Sequence, residues 1–515
     1  MKSLVVLGAQ MPGYLRFRSS LRQPENCQRR VLREILGSIE GSVSARRYGI
    51  EQNTSYEKFM SAVPVTDYSF WEEDILKQKQ TGESVICGGV QRFQPTSGST
   101  SAQKWIPYSQ SFLKEMDSAI QAWIGDAALK HRAAFRGCQY WSLSWLPQDQ
   151  RDSRPSNDDL ELLPAWKRFL MEGFMAVPAA VTYTRTMEES QFATLAYLCS
   201  RRNLSLISVW SPTFWLKLVE QLKAWQEPLA RTLHSGSWTM PNLQGQVAAP
   251  RSVSAARILE RFSGEELLKR LWPKLKMISC WDSAGSRQWA ENVRQNQPSV
   301  EVQGKGLWAT EGVITVPFQG RYPAAITSHF LEWLDLDDGR VLPTWKLRPG
   351  QQVLPLLSGG HGLLRYKLND SLLVTGFLQE TPTFQFMGRL RETDLVGEKL
   401  SAVLAEEAFA AVESETGVRP LSLFAVRTEK RTPYYLALAR HSDVQPRVIE
   451  EKIETALAKI FHYKLARELG QLGPVQVHLS DHPEAVYQQV FQKKGMLAGD
   501  IKFEALSEIA EHLLP

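Results

Sequence analysis

At 515 residues the chain is about three times the length of a typical domain of roughly 150 residues, so more than one domain is expected. Hydrophobic residues at 43% and charged residues at 22% exclude a largely disordered, collagen-like or coiled-coil protein. Sixty basic against 55 acidic residues leave a net charge of +5, too little to point to nucleic acid, and no apolar run reaches the roughly 18 residues that cross a bilayer.

The start, MKSLVVLGAQ, has too short an apolar stretch for a signal peptide and reads as mature protein. The positive excess lies before residue 390, where it would suit an anionic substrate, and the remainder is slightly acidic. Five scattered cysteines (Cys27, Cys87, Cys138, Cys199, Cys280) read as reduced, buried thiols of a cytoplasmic protein. The nine histidines form no HxxxH or HxH cluster, which speaks against a structural zinc site.

In chain order, Leu32, Ile35, Leu36 and Ile39 recur at helical spacing. VPVTDYSFWEEDILKQ (63–78) predicts a loop with Asp67 or Ser69 capping a short helix. LSLISVW (204–210), LKMISCW (275–281), VLPLL (353–357) and LLVTGF (372–377) have strand composition, with helices such as 214–225 between them. That alternation predicts an α/β body. The Pro-, Gly-, Ser- and Gln-rich stretch 227–254 reads as a surface excursion, ordered or flexible. After about residue 390 come a helix over roughly 399–413, a hairpin of 421–428 and 434–439, and a helix face of Ile449, Ile453, Leu457 and Ile460. A third strand (474–479) and a helix (483–494) complete an expected α+β domain, its sheet covered on one face.

Three segments carry chemistry. FQPTSGSTSAQKWIPYS (93–109) gathers Thr96, Ser97, Gly98, Ser99, Thr100 and Ser101, a set of donors that can wrap an anion, with Lys104 to add charge. It does not match the GxxxxGK[ST] of P-loop NTPases, and a polar surface turn is the competing reading. KGLWATEGV (305–313) offers a flat ring at Trp308, a hydroxyl at Thr310 and, at Glu311, a hard oxygen ligand suited to Mg²⁺. A core role for Trp308 is the alternative. HGLLRYKLNDSLLVTGF (361–377) sets Asp370 where a polar loop enters a strand, a place for a ribose ligand or a plain turn residue.

In this order, the hydroxyl loop, WATEG, YKLND and GRLRE resemble the phosphate loop, YGxTE-like segment, ribose-binding aspartate and hinge of acyl-adenylate-forming enzymes. Within that superfamily the chain resembles the Gretchen Hagen (auxin-responsive) family of acyl-acid amido synthetases, bacterial members included. VPVTDY (63–68) is similar to the family's VPVxxYE, and TSGSTSAQKWIPYS to its SSGTSxGxxKxxPxT. LWPKLKMISCWDSAGS (271–286) is similar to WPNLK…TGxM, and GLLRYKLNDSLLVTGFLQETPTFQF (362–386) to GLYRYRVGDVLxVTGFxxxxPxFxF. The likeness runs from about Arg29 to about Lys502. Two departures stand out: Asn369 replaces the Gly before the aspartate, and WATEG replaces the plant YASSE.

The resemblance implies an N-terminal domain (1–390) that binds ATP and an acyl acid, and a small mobile C-terminal domain (391–515), with Arg391 and Glu392 at the hinge. It implies that a carboxylic acid is activated as an acyl-adenylate and passed to an amine, an amino acid above all, with ATP and Mg²⁺ required. A thiol acceptor (coenzyme A or a carrier protein) or a catalytically inactive nucleotide-binding homologue are the rival readings. By the same resemblance Thr96, Ser97, Gly98, Ser99 and Thr100 hold the phosphates, and Ser283, Ala284 and Gly285 border the nucleotide. Trp308 stacks on adenine, Thr310 contacts the α-phosphate, Glu311 binds Mg²⁺, Asp370 takes the ribose hydroxyls and Arg389 closes over the nucleotide. Lys502 bridges the reacting carboxylate and the α-phosphate; a solvated lysine is its other reading. Trp141, Trp145, Trp210 and Trp215 mark an aromatic acyl region whose substrate does not transfer from the plant sequences. No nucleic-acid or membrane partner is implied, and oligomeric state is not legible.

Overall fold

The computed structural model describes residues 2–96, 104–143, 145, 173–390, 392–393, 395–396, 398, 400–428 and 431–514. The fold is mixed α/β, and the chain divides into two compact units. One holds Met1–Thr96, Lys104–Leu368 and Leu372–Phe386; Asn369–Ser371 and Met387–Pro515 belong to the other.

In the first unit the helix Pro24–Ile39 buries Leu32, Ile35, Leu36 and Ile39 along one face, as their spacing requires. Of the two candidate caps, Asp67 is the one used. Its carboxylate accepts from the Phe70 N–H at 3.2 Å and starts the helix Tyr68–Thr81, which Gly82 ends in a left-handed conformation. Strands β1 (Val90–Pro95) and β2 (Trp105–Ser109) form an antiparallel hairpin, closed where the Thr96 N–H meets the Lys104 carbonyl at 2.9 Å. Ser97, Gly98, Ser99 and Thr100 lie outside the described residues.

A parallel sheet follows, in the order β3 (Cys138–Trp141), β4 (Leu204–Ser208), β5 (Met277–Cys280) and β6 (Glu301–Gly304). β3, β4 and β5 are buried along their whole length, which is why the runs around β4 and β5 read as short apolar strands; CQYW of β3 carried no such signal. Most of the stretch 227–254 is exposed or half-buried, as the expected ordered surface excursion requires, but it is anchored from within. It opens within the helix Gln226–Ser235 and sends Leu229, Leu233, Trp238 and Leu243 into the core. Its glycines and polar residues hide a helical spacing of leucines too short to stand out. Trp215 is likewise core: it packs against Trp272 at 5.4 Å between ring centres.

β7 (Trp308–Ala309) and β8 (Gly312–Val313) make a two-rung ribbon. A six-stranded sheet is then built from β9 (Phe330–Asp335), β10 (Val341–Pro343), β11 (Gln352–Ser358), β12 (Tyr366–Lys367), β13 (Asp370–Leu378) and β14 (Thr381–Arg389). Its order is β10-β9-β11-β13-β14, with β12 also on β11.

The second unit contains a small ribbon, β15 (Glu392–Thr393) with β16 (Leu400–Ser401), and a four-stranded sheet. That sheet pairs β17 (Ser422–Arg427) and β18 (Tyr434–Arg440) as the expected hairpin. β19 (Gln476–Ser480) joins β18 in parallel, and β20 (Leu506–Ala510) joins β17 in parallel. The strand at 506–510 is absent from the sequence reading, because LSEIA is short and its Ser and Glu dilute the apolar signal. The expected one-sided cover also fails. Helices Ala402–Thr416 and Pro446–Leu457 pack on the face of Leu423, Ala425, Tyr435 and Ala437, while Tyr487 of the helix Pro483–Lys493 stacks on Phe424 from the opposite face. Five consecutive buried residues in β17 report that double cover. Ile460 lies past the end of the helix Pro446–Leu457 and caps the next one, Phe461–Glu468. Among the described residues no helix is long and apolar enough to cross a membrane.

Candidate active site

The turn at Thr310 and Glu311 closes the β7–β8 ribbon, and two distant segments converge on it. The Tyr108 hydroxyl, at the end of the strand leaving the hydroxyl loop, donates to the Thr310 carbonyl at 3.0 Å. His361 Nε2 donates to the Glu311 carbonyl at 2.9 Å, and the Tyr366 hydroxyl donates to Glu311 Oε1 at 3.4 Å. Gly312, next along, has a φ of +151°, and a Cβ there would stand 2.6 Å from Leu357 Cδ1 and 2.9 Å from His329 Nε2. Only glycine fits this close approach.

Behind the turn lies a buried polar cluster on the first turns of the helix Gln110–Lys130. The Glu115 carboxyl accepts from the Gly360 N–H at 2.9 Å and the Ser111 hydroxyl at 3.2 Å, and meets His329 Nδ1 at 2.9 Å. Burial raises its pKa to about 8 and lowers both His329 and His361 to about 3, so both rings are neutral at pH 7. The Leu363 N–H donates to His361 Nδ1 at 3.2 Å, which fixes the proton on Nε2. Burial also raises the Tyr366 hydroxyl, reinforced by the neighbouring Glu311 charge, so it remains a donor.

The segments 63–68 and 362–370 are adjacent in space. The Thr66 N–H donates to the Arg365 carbonyl at 3.0 Å, and the Lys367 N–H to the Thr66 carbonyl at 2.8 Å. Arg365 takes a φ of +49° and points inward to a buried ion pair with Glu332 at 2.9 Å, while its Nη1 donates to the carbonyls of Met60 and Val63. Removing one partner of such a pair strands a buried charge, a cost of about 3–5 kcal/mol.

Trp308 is not an open platform. It is 7% exposed, its Nε1 donates to the Lys305 carbonyl at 2.8 Å, and its ring lies 5.8 Å from Trp123 and 6.2 Å from Trp210 in edge and tilted contacts. Little of the residue is left exposed beside these indoles. Sequence reasoning missed Lys305 beside it. This residue is 1% exposed, donates from Nζ to Ser208 Oγ at 2.7 Å, and sits 4.6 Å from the Trp210 ring and 4.7 Å from Trp123. Cation–π attraction to the two rings offsets part of the cost of burying the ammonium. The signal was the GKG triplet: a Cβ at Gly304 or Gly306 would strike Tyr322 and Asp282, or the Thr315 carbonyl.

Ser283 follows β5, and Ala284–Ser286 make one 3₁₀ turn before the helix Arg287–Asn296. Ala284 holds a left-handed φ of +47°, a strained choice for a residue with a side chain. Gly285 completes the turn. The preceding Asp282 accepts from the Tyr322 hydroxyl at 3.1 Å, and burial raises its pKa.

In the second unit, Asp370 and Arg389 form an ion pair at 3.1 Å, and the Leu390 N–H donates to the Asn369 carbonyl at 2.7 Å. Asn369 lies outside the positive-φ set, so the glycine usual at this position is not needed here. Lys502 is half-buried; its carbonyl accepts from the Tyr487 hydroxyl at 3.1 Å, and that hydroxyl also accepts from the Glu504 N–H. Among the described residues no group of three His, Cys, Asp or Glu side chains is placed to hold a metal ion. A single carboxylate at Glu311 still fits Mg²⁺, which keeps several waters and is commonly carried by one or two carboxylates plus substrate phosphates.

The chain matches the GH3 family N-terminal domain over residues 14–302 and the GH3 family central domain over residues 322–389. A GH3 domain-containing protein of Mus musculus is 25% identical over 288 residues, 50% of this chain and 52% of its own length. The indole-3-acetic acid-amido synthetase GH3.15 of Arabidopsis thaliana is 22% identical over 252 residues, 43% of this chain and 42% of its own length. The chain thus spans about half the length of the curated relatives it matches. In fold it is similar to the solved GH3.15 acyl acid amido synthetase (TM-score 0.76, 17% identity, 96% of this chain and 93% of that one). A second solved form, with 2,4-DB, gives a TM-score of 0.77 at 16% identity over 98% and 95%. With both the N-terminal and the central domains matched in order, the chain belongs to the GH3 family, the Gretchen Hagen family that its motifs resemble.

Proposed function

We propose that this protein is an ATP-dependent acyl-acid amido synthetase, which joins a carboxylic acid to an amine, an amino acid above all. The observation that carries the reading is the convergence of Tyr108, His361 and Tyr366 on the Thr310–Glu311 turn. Three segments that sequence reasoning assigned to one nucleotide site meet there. Family membership and the amido synthetase named among the relatives support the same chemistry.

In the first half-reaction the acid's carboxylate attacks the α-phosphate of ATP, forming the acyl-adenylate and releasing pyrophosphate. In the second, an amine attacks the acyl carbon and AMP leaves. Glu311 would hold Mg²⁺, which when bound draws charge from the phosphate oxygens. Thr310 would donate its hydroxyl to the α-phosphate, and the Thr96–Thr100 loop would receive the departing phosphates. The Ser283–Gly285 turn would border the nucleotide. Lys502 would sit between the two anions. Trp308 is assigned to the wall behind the turn. The five buried cysteines accord with a cytoplasmic setting, where ATP is available.

The test is acid-dependent pyrophosphate–ATP exchange across aryl, indolyl and fatty acids, followed by amino acids and coenzyme A as acceptors. Exchange with some acid and amide formation is the expected result. Exchange with thioester formation alone would move the protein to the thiol-acceptor class, and no exchange with any acid would overturn the reading.

Asp370 gives a second check. If its carboxylate takes the ribose hydroxyls, Asp370→Ala weakens ATP binding by about 1.5–3 kcal/mol, the value of one charge-assisted hydrogen bond. Calorimetric titration of ATP measures it. An unaltered affinity would leave Asp370 as the partner of Arg389 alone.

A further inference from the structure

The β7–β8 ladder ends at Ala309 and Gly312, so Thr310 and Glu311 project beyond the last rung. A two-residue turn has no ladder bonds of its own to fix its peptide planes, and the direction of a side chain follows those planes. Here both carbonyls are held from outside, Thr310 by Tyr108 and Glu311 by His361.

The ring that holds Glu311 is itself held in place. Leu363 N–H occupies Nδ1, and Phe112 stacks on the ring face at 4.4 Å between centres. The backbone carrying the ring is tied down as well: the Gly360 N–H to Glu115 at 2.9 Å, and the Gly360 carbonyl to the Ser109 hydroxyl at 2.7 Å. Gly362, at a φ of +89°, lies so close to the Ile86 carbonyl that a Cβ would stand 2.3 Å from it. Ser109 also caps the helix Gln110–Lys130, accepting from the Phe112 N–H at 3.1 Å. One rigid helix start therefore sets the place of His361, and His361 sets the peptide plane of Glu311.

We propose that His361 is a positioning residue for the metal-binding carboxylate of Glu311, acting through the Nε2–H bond to its backbone carbonyl. The inference rests on the proposed function, in which Glu311 meets Mg²⁺. A carboxylate aimed in advance loses little freedom when the ion arrives, so affinity is gained without a further ligand.

The test uses the full-length protein with Mn²⁺ as a paramagnetic probe and α,β-methylene-ATP as the nucleotide. Metal affinity is read by electron paramagnetic resonance, and the melting temperature is taken in parallel. His361→Leu, which keeps bulk and loses the donor, is expected to weaken Mn²⁺ about tenfold, the scale of one hydrogen bond to a group that must stay aligned. Nucleotide affinity in the presence of a chelator should not change. In His361→Gln the amide nitrogen reaches the Nε2 position, and affinity should return to within about threefold of the parent; in His361→Asn it falls short, and the loss should persist. Should the leucine variant fail to fold, the contrast between Gln and Asn carries the test. Mn²⁺ affinity unchanged in the Leu and Asn variants, or equally reduced in Gln and Asn, would overturn the proposal and leave His361 a packing residue. Glu311→Gln serves as the reference. If it too binds Mn²⁺ normally, the metal reading of Glu311 falls and this inference falls with it; if it alone loses the metal, only the inference falls.

Discussion

Glu311→Gln is expected to lower acid-dependent pyrophosphate–ATP exchange by about 10²–10³, the loss that follows removal of one preorganised group acting on developing charge. The fold should survive. Glutamine keeps the length and an acceptor oxygen for Tyr366, and the bond from His361 goes to the backbone, which the substitution leaves in place. What disappears is the negative charge, the property that a hard cation requires of its ligand. The comparison is between initial exchange rates over a range of Mg²⁺ and the melting temperature of the same preparations. Normal exchange in a normally folded variant would remove Glu311 from the metal site. Loss of exchange with a matching loss of melting temperature would mean that the charge serves the fold.

The parts of this architecture legible in the sequence are those governed by near neighbours. The helix Pro24–Ile39 follows from the spacing of Leu32, Ile35, Leu36 and Ile39, and the strands at Leu204–Ser208 and Met277–Cys280 from short apolar runs. What escaped depends on partners far along the chain. LSEIA becomes a strand because Ser422–Arg427 offers it an edge, and no property of its five residues announces that pairing. The second cover of the C-terminal sheet rests on Phe424 meeting Tyr487, 63 positions later. At the site, WATEG and Asp370 were legible as motifs, but the setting of Trp308 was not. Its burial is decided by Trp123 and Trp210, which come from other elements. His361 and Glu115 were silent for the same reason: a histidine beside two glycines has no periodicity to read, and its role lies wholly in what it touches. Lys305 was closest to being found, since a lysine between two glycines signals a tightly enclosed backbone.

Lys502→Ala is expected to separate the two half-reactions. Forming the adenylate brings a carboxylate against the α-phosphate of ATP, two anions that repel, and charge then builds on the phosphoryl oxygens as pyrophosphate leaves. An ammonium between them offsets the repulsion and stabilises that charge, a role for which the compact, strongly charged head of lysine is suited. Once the adenylate exists, the carboxylate has become a mixed anhydride and the repulsion is gone. Attack by the amine on the acyl carbon then places its new charge on the carbonyl oxygen and the departing AMP, where the need for Lys502 is smaller. The segment that carries the lysine is held by the Tyr487 hydroxyl at the Lys502 carbonyl, so removal of the side chain leaves its backbone anchored. Exchange should fall by about 10²–10³, while consumption of a preformed, supplied adenylate by the amine should fall far less. Both rates are measurable on one preparation, the first by labelled pyrophosphate and the second by AMP release in a single turnover. An equal loss in both would mean a lysine used throughout or a damaged fold, which the melting temperature distinguishes. No loss in either would make Lys502 a surface charge, and the cation that meets the α-phosphate would have to come from another residue.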